Sequence, residues 1–242
     1  MLLMVCHLTR MDFAPDGSLR VCVAGLDLES GTFVRPVLSR PNSWTSADLH
    51  DRGGIFSLGT VLEVERAVNI SLPPEVEDRQ VSRGALRRLA EAHGGLLNAA
   101  LSHVARHSVS ALFGSELARK DGRASMPQGR GEASLGVLRP LTAVTLEVRS
   151  VAGKERPRLR CADAHGWLEM PVTDIRLYDP VTGAVLADRV RQLSAMLRDC
   201  RTLLAVGLTR PWAKQDGEPR HYLQVNNIFP EQDPLWQAGE RT

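Results

Sequence analysis

Residues 5–38 read VCHLTRMDFAPDGSLRVCVAGLDLESGTFVRPVL, and the alternation inside this stretch decides the fold. Residues 2–9 are apolar and β-prone enough for a buried strand. Strand side chains alternate, so Cys6 is expected in the core if His7 points out. Pro15, Asp16 and Gly17 then signal a turn. Val21, Val23 and Leu26 mark a second strand, Ser30-Gly31 turns the chain, and residues 33–38 return. Val61, Leu62 and Val64 add a fourth strand. Four strands with short connections in 70 residues suit a small antiparallel barrel or sandwich.

The whole chain has 242 residues, enough for two small domains or one large one. Its 30 Lys and Arg against 28 Asp and Glu give a net charge of +2. This balance excludes the global basic field of a histone-like binder, so a nucleic-acid surface must be a local concentration of arginine. The only lysines are Lys120, Lys154 and Lys214. Cys6, Cys22, Cys161 and Cys200 are far apart and form no Cys-x-x-Cys pair, which argues against a zinc ribbon and for reduced core thiols. No stretch reaches the roughly 20 apolar residues of a membrane span. The apolar run from Leu2 to Cys6 is too short for a signal-peptide core, so the expected place is the cytoplasm.

The middle of the chain changes character. Residues 82–113 predict two helices broken at Gly94-Gly95, the first capped by Ser82, the second presenting Leu97, Leu101 and Val104. Residues 120–134 are rich in Gly and charge and predict a mobile loop, whose Lys120, Arg123 and Arg130 are in reach of a phosphate backbone. Strands resume over Val144, Leu146 and Val148, then in a hairpin turning at Ala164–Gly166. Val185, Val190, Leu193 and Leu197 mark a helix, and two more strands precede a frayed tail. The expected division is a first barrel over 1–72, a helical insertion and loop over 73–133, a second barrel with one helix over 134–230, and a tail over 231–242.

The two ends of the chain resemble each other. Residues 2–26 read LLMVCHLTRMDFAPDGSLRVCVAGL, and residues 203–228 read LLAVGLTRPWAKQDGEPRHYLQVNNI. Each is an apolar strand, a Thr-Arg pair, a polar loop holding Asp-Gly, and an alternating strand. Arg-Pro pairs recur at Arg35-Pro36 and Arg139-Pro140, where proline ends or edges a ladder and places the arginine at a strand terminus. The run Cys22-Val23-Ala24-Gly25 followed by Val34-Arg35-Pro36-Val37 is similar to the N-terminal signature of the bacterial dual OB-fold proteins. The polar segment HLTRM departs from the Ala-Asn-Ser-Arg-Lys run common there. The resemblance covers residues 3–38. It implies a mainly β, α+β chain with two OB-like barrels around a helical insertion, and a role in bacterial defence or nucleic-acid maintenance.

An OB barrel that binds single strands needs a basic groove and aromatic faces on which bases stack. The candidates are Thr9, Arg10, Arg35, Trp44, Arg139, Thr209, Arg210, Trp212, Lys214, His221 and Tyr222, with TRPWAK over 209–214 as the densest cluster. A core role is the rival for Trp212, and more so for Trp44 and Trp167. No catalytic motif stands out. His103 and His107 have helical metal-binding spacing, but the glutamate of the zincin motif is missing. No Gly-x-Ser-x-Gly elbow, P-loop or dinucleotide fingerprint occurs. The reading is therefore a non-enzymatic protein with no cofactor and no metal that binds single-stranded DNA or RNA and no membrane. The alternative is a nucleotide or small-anion sensor or enzyme, with Thr9, Arg10, Thr209 and Arg210 converging on a pocket between the barrels. The discriminating feature is whether the Thr-Arg pairs share one pocket or arginines and tryptophans line an open groove. A protein-interaction scaffold is the third possibility.

Overall fold

The computed structural model describes every residue except 40, 152, 214–216 and 237–242. Seven strands come first: β1 (Leu2–Phe13), β2 (Leu19–Asp27), β3 (Phe33–Leu38), β4 (Thr60–Val64), β5 (Val68–Asn69), β6 (Asp78–Val81) and β7 (Leu86–Glu91). Two helices follow, α1 (Gly94–Val104) and α2 (Val109–Phe113). The remainder holds β8 (Ala118–Lys120), β9 (Arg123–Pro127), β10 (Leu135–Leu138), β11 (Thr145–Val151), β12 (Lys154–Asp163), β13 (Gly166–Pro171), α3 (Ala187–Met196), β14 (Thr202–Leu208) and β15 (Arg220–Pro230). The first sheet runs β5-β6-β3-β2-β1-β4-β7, the second β10-β14-β15-β9-β8, and the third β11-β12-β13. The protein is thus mainly β.

β1 and β14 are interior strands of their sheets, and residues 3–9 of β1 and all of β14 are buried on both faces. Along β1, Leu3 and Val5 face the first barrel's core while Met4 and Cys6 face away from it. A bulge between Val5 and His7 then shifts the parity, so that Leu8 rejoins the first core. Cys6 and His7 are consequently both buried, at 0% and 1% exposure, which corrects the expectation that one of them points out. β14 behaves alike: Leu204, Val206 and Leu208 enter the second core, while Leu203 and Ala205 join Met4 and Cys6 in a third cluster between the barrels. Leu97 and Leu101 of α1 complete that cluster. Each fully buried Leu or Val side chain contributes about 1.5–3 kcal/mol, so this shared apolar seam ties the two halves together.

Each hairpin needs a glycine beside its bulge. A Cβ on Gly25 would sit 2.4 Å from the Met4 carbonyl oxygen, and one on Gly207 would sit 2.5 Å from Asn226 Nδ2. β15 carries its own bulge opposite Ala205 and Val206. There Asn227 Oδ1 accepts from Leu8 N at 2.7 Å and its Nδ2 donates to Leu8 O at 3.1 Å, joining the bulged part of β1 to that of β15.

Three sequence expectations change. Residues 86–91 form β7 instead of a helix, although Leu, Arg, Ala and Glu are helix formers. The open edge of β4 pairs with them from Val64↔Leu86 to Thr60↔Glu91, and this ladder overrides propensity. Within 120–134, expected to be a mobile loop, residues 118–127 form the β8–β9 hairpin. Asp121 and Gly122, both at positive φ, make its two-residue turn, the geometry that Asp-Gly favours. In the segment read as a frayed tail, Trp236 is 3% exposed and its Nε1 donates to Ile228 O. The rest of that tail, 237–242, lies outside the described residues. No helix among the described residues is long and apolar enough to cross a membrane.

Candidate nucleic-acid interface

On β12 buried and more exposed residues alternate from Arg156 onward. Pro157, Leu159, Cys161 and Asp163 are buried, while Lys154, Arg156, Arg158 and Arg160 share the opposite face. A strand advances about 3.3 Å per residue, so these cations stand about 6.6 Å apart in a row. Neighbouring strands add to the row. Arg149 of β11 pairs in register with Arg156, and Trp167 of β13 pairs with Ala162. The β8–β9 hairpin closes the other side. With Arg149 of β11 and Glu169 of β13 it borders a groove of about 720 Å³, also lined by Lys120, Asp121, Arg123, Arg220 and Tyr222. The β12 cations lie beside the groove, Arg156 in register with Arg149 and Arg160 with Glu169, and are not part of its lining.

Charge in this groove is uneven. Glu169 accepts from Arg149 Nη1 at 3.0 Å and from Arg160 Nε at 2.9 Å. Burial opposes ionisation of Glu169, but these hydrogen bonds and charges outweigh it and hold its carboxyl below the ordinary range. Glu147 also engages Arg149. By contrast, Lys120, Arg123, Arg156 and Arg158 have no ion-pair partner among the described residues. The Arg158 pKa is lowered, first by burial and then by the guanidinium groups of Arg123, Arg156 and Arg149, against the pull of Glu169. Like charges are held together here, and a polyanion relieves that arrangement.

Aromatic surfaces stand at both ends. Trp167 is 54% exposed and lies over Gly122, where a Cβ would come within 2.2 Å of its ring. Arg119 fixes this corner: it donates to Trp167 O at 3.1 Å and to Asp163 Oδ1 at 2.7 Å. Burial raises the Asp163 pKa, yet Arg119 and the N–H groups of Val109 and His165 outweigh it and keep the carboxyl ionised. At the other end Trp212 is 48% exposed. Its backbone exchanges two 3.1 Å hydrogen bonds with Arg220, and its ring meets that of Tyr222 at 4.7 Å.

Of the sequence candidates, Tyr222 lines this groove, and Trp212 stands beside it through its ring contact with Tyr222. Lys214 lies outside the described residues. The others fall elsewhere. Trp44 is a core residue of the first barrel, its Nε1 donating to Pro36 O at 2.8 Å. Arg139 pairs with Glu231 at 3.3 Å. Arg35 and Arg210 meet at Asp78, which accepts from Arg35 Nε at 2.5 Å and from Arg210 Nη2 at 2.6 Å. Glu75 sits 3.4 Å from Arg210 and 3.6 Å from the buried His221. Glu77 accepts from Ser134 N and Leu135 N, so the residues 75–78 clamp the two barrels. Thr209 is held within its own hairpin by Tyr222 N and His221. Thr9 is 3% exposed and bridges to Asp174, and Arg10 lies over the Tyr178 ring at 4.6 Å. Among the described residues the two Thr-Arg pairs therefore share no hydrogen-bond or ion-pair partner.

Sequence reading missed the arginines of β12. The signal was present in KERPRLR over 154–160, where basic residues recur at every second position of a strand.

Among solved structures the chain is similar to the tetrameric p202 HIN2 domain, at 8% identity over 93% of this chain and 90% of that one, with a TM-score of 0.32. It is also similar to a murine DNA-binding protein bound with double-stranded DNA, at 9% identity over 95% of each chain and a TM-score of 0.32. No curated protein matches it. The family model of the dual OB-containing domain matches residues 17–228. With the match spanning most of the sequence, and two β-rich halves meeting along β1, β14 and β15, the chain belongs to the dual OB-containing domain family.

Proposed function

We propose that this protein binds single-stranded nucleic acid in the groove between β12 and the β8–β9 hairpin, as an accessory factor and not as an enzyme. The observation that carries this reading is the alternating row Lys154, Arg156, Arg158 and Arg160, with exposed Trp167 on the neighbouring strand and with Tyr222, in ring contact with exposed Trp212, in the lining of the adjoining groove. The row supplies phosphate contacts at regular steps. The aromatic ends supply stacking, which contributes about 1–3 kcal/mol per base and needs unpaired bases.

In this reading the second barrel, over 134–230, is the binding unit, and the insertion over 73–133 lends it one wall. The first barrel, over 1–72, braces it. The Thr-Arg repeat then marks the two equivalent hairpins, β1–β2 and β14–β15, that build the seam. The rival reading, an anion between the barrels on the Thr-Arg pairs, lacks the convergence it needs.

Fluorescence anisotropy with labelled single-stranded DNA, single-stranded RNA and duplex, at two salt concentrations, tests the proposal. Single strands are expected to bind more tightly than duplex, with affinity falling steeply as salt rises. Absence of measurable single-strand binding at low salt overturns it.

A further inference from the structure

A second cleft, of about 400 Å³, opens between the two halves of the chain and is lined by none of the groove cations and by neither Thr-Arg pair. Its volume falls in the range of small-molecule sites. The floor is apolar and aromatic: Leu8, Phe56, Ile175, Tyr178 and Trp236 border it, each no more than 7% exposed. Such a slot accepts a flat ring and excludes water from its faces.

The rim is polar and asymmetric. On the side of the second barrel stands Arg189, whose one hydrogen bond among the described residues runs from Nη1 to Arg176 O at 3.1 Å. A guanidinium carries five N–H donors, so four of them have no acceptor among the described residues. Its neighbour Arg176 is already committed to Asp174, through Nε at 3.0 Å and Nη2 at 2.7 Å. On the side of the first barrel stands Asp51, which has no ion-pair partner among the described residues. A carboxylate there accepts hydrogen bonds and donates none.

We infer that this cleft binds a nucleoside monophosphate whose base carries an exocyclic amine. The base enters the aromatic slot, its amine meets Asp51, and the phosphate meets the guanidinium of Arg189, which suits bidentate phosphate recognition. This site is separate from the groove and does not depend on polynucleotide binding there.

Isothermal titration of the full chain with AMP, adenosine and inorganic phosphate tests the assignment. AMP is expected to bind at least tenfold more tightly than either fragment. Arg189→Ala is expected to weaken AMP at least tenfold and to leave adenosine unchanged. Asp51→Asn is expected to narrow the preference for AMP over UMP. The groove variant Arg156→Ala with Arg158→Ala is expected to leave AMP binding intact. No AMP binding at millimolar concentration overturns the inference. So does AMP binding that ignores Arg189→Ala, or that disappears in the groove variant, since the nucleotide then occupies the groove.

Discussion

Two arginine-rich regions of this molecule differ in one respect, the supply of carboxylates. At the junction, Arg35 is 4% exposed and Arg210 is half-exposed, and both are matched by Asp78, with Glu75 beside Arg210. In the groove, Glu169 and Glu147 hold Arg149 and Arg160, while Arg123, Arg156 and Arg158 are left without an ion-pair partner among the described residues. The first region is satisfied from within. The second is satisfied only from outside. Arg35 lies inside β3 and not at the strand terminus expected from Arg-Pro, so an arginine before a proline is a poor guide to function until its counter-charges are known.

The contrast is broken most strongly by removing the shared carboxylate. Asp78→Ala leaves the Arg35 guanidinium buried and unpaired. That loss is expected to cost about 3–5 kcal/mol of stability, read as a lower midpoint in urea. A well-folded Asp78→Ala variant with an unchanged midpoint would show that the junction is not a clamp.

On the groove side, Trp212→Ala is expected to weaken single-strand binding by about 1–3 kcal/mol with the salt slope unchanged. Loss of melting temperature in place of affinity would assign Trp212 to structure.

A smaller effect sharpens the junction. Burial, and secondarily the Arg35 charge, lower the His7 pKa to about 3. The unfolded chain takes up a proton near pH 6.5 that the folded one does not. Stability is therefore expected to fall as pH drops below 6.5, by up to about 1.4 kcal/mol per pH unit from this residue. His7→Gln should flatten the profile between pH 6.5 and 5, and an unchanged slope would contradict a neutral His7.

The smallest effect is expected at Arg139. Its pair with Glu231 is partly exposed, at 30% and 26%, so Arg139→Ala should cost no more than about 1 kcal/mol. It should leave nucleic-acid affinity unchanged, and a large loss of affinity would extend the interface beyond the groove.

Much of the fold was legible in the sequence because β1 and β14 are long apolar runs and Asp16-Gly17 marks the turn after β1. The hairpins β2–β3 and β12–β13 followed from period and turn residues, and the helix α3 from period. β7 did not, because its residues favour helix and only the edge of β4 makes them a strand. The candidate site was less legible. Trp212 stands out within TRPWAK and Tyr222 stands apart from it in the chain; their ring contact was not legible in the sequence. The ion pairs of Arg35 and Arg210 were not legible because their partners Glu75 and Asp78 lie about 40 and 130 residues away in the chain. The β12 row was overlooked although its two-residue period is written plainly in residues 154–160.

The most direct test compares the salt dependence of single-strand affinity in the wild type, in Arg156→Ala with Arg158→Ala, and in Arg210→Ala. Each lost phosphate contact removes about 0.7 from the slope of log K against log salt. The double groove variant is expected to bind more weakly, with a slope shallower by about 1.4 and an unchanged urea midpoint. Arg210→Ala is expected to keep the wild-type slope. The reverse outcome, an unchanged slope in the groove variant and a shallower one in Arg210→Ala, would place the nucleic acid at the junction and contradict the groove.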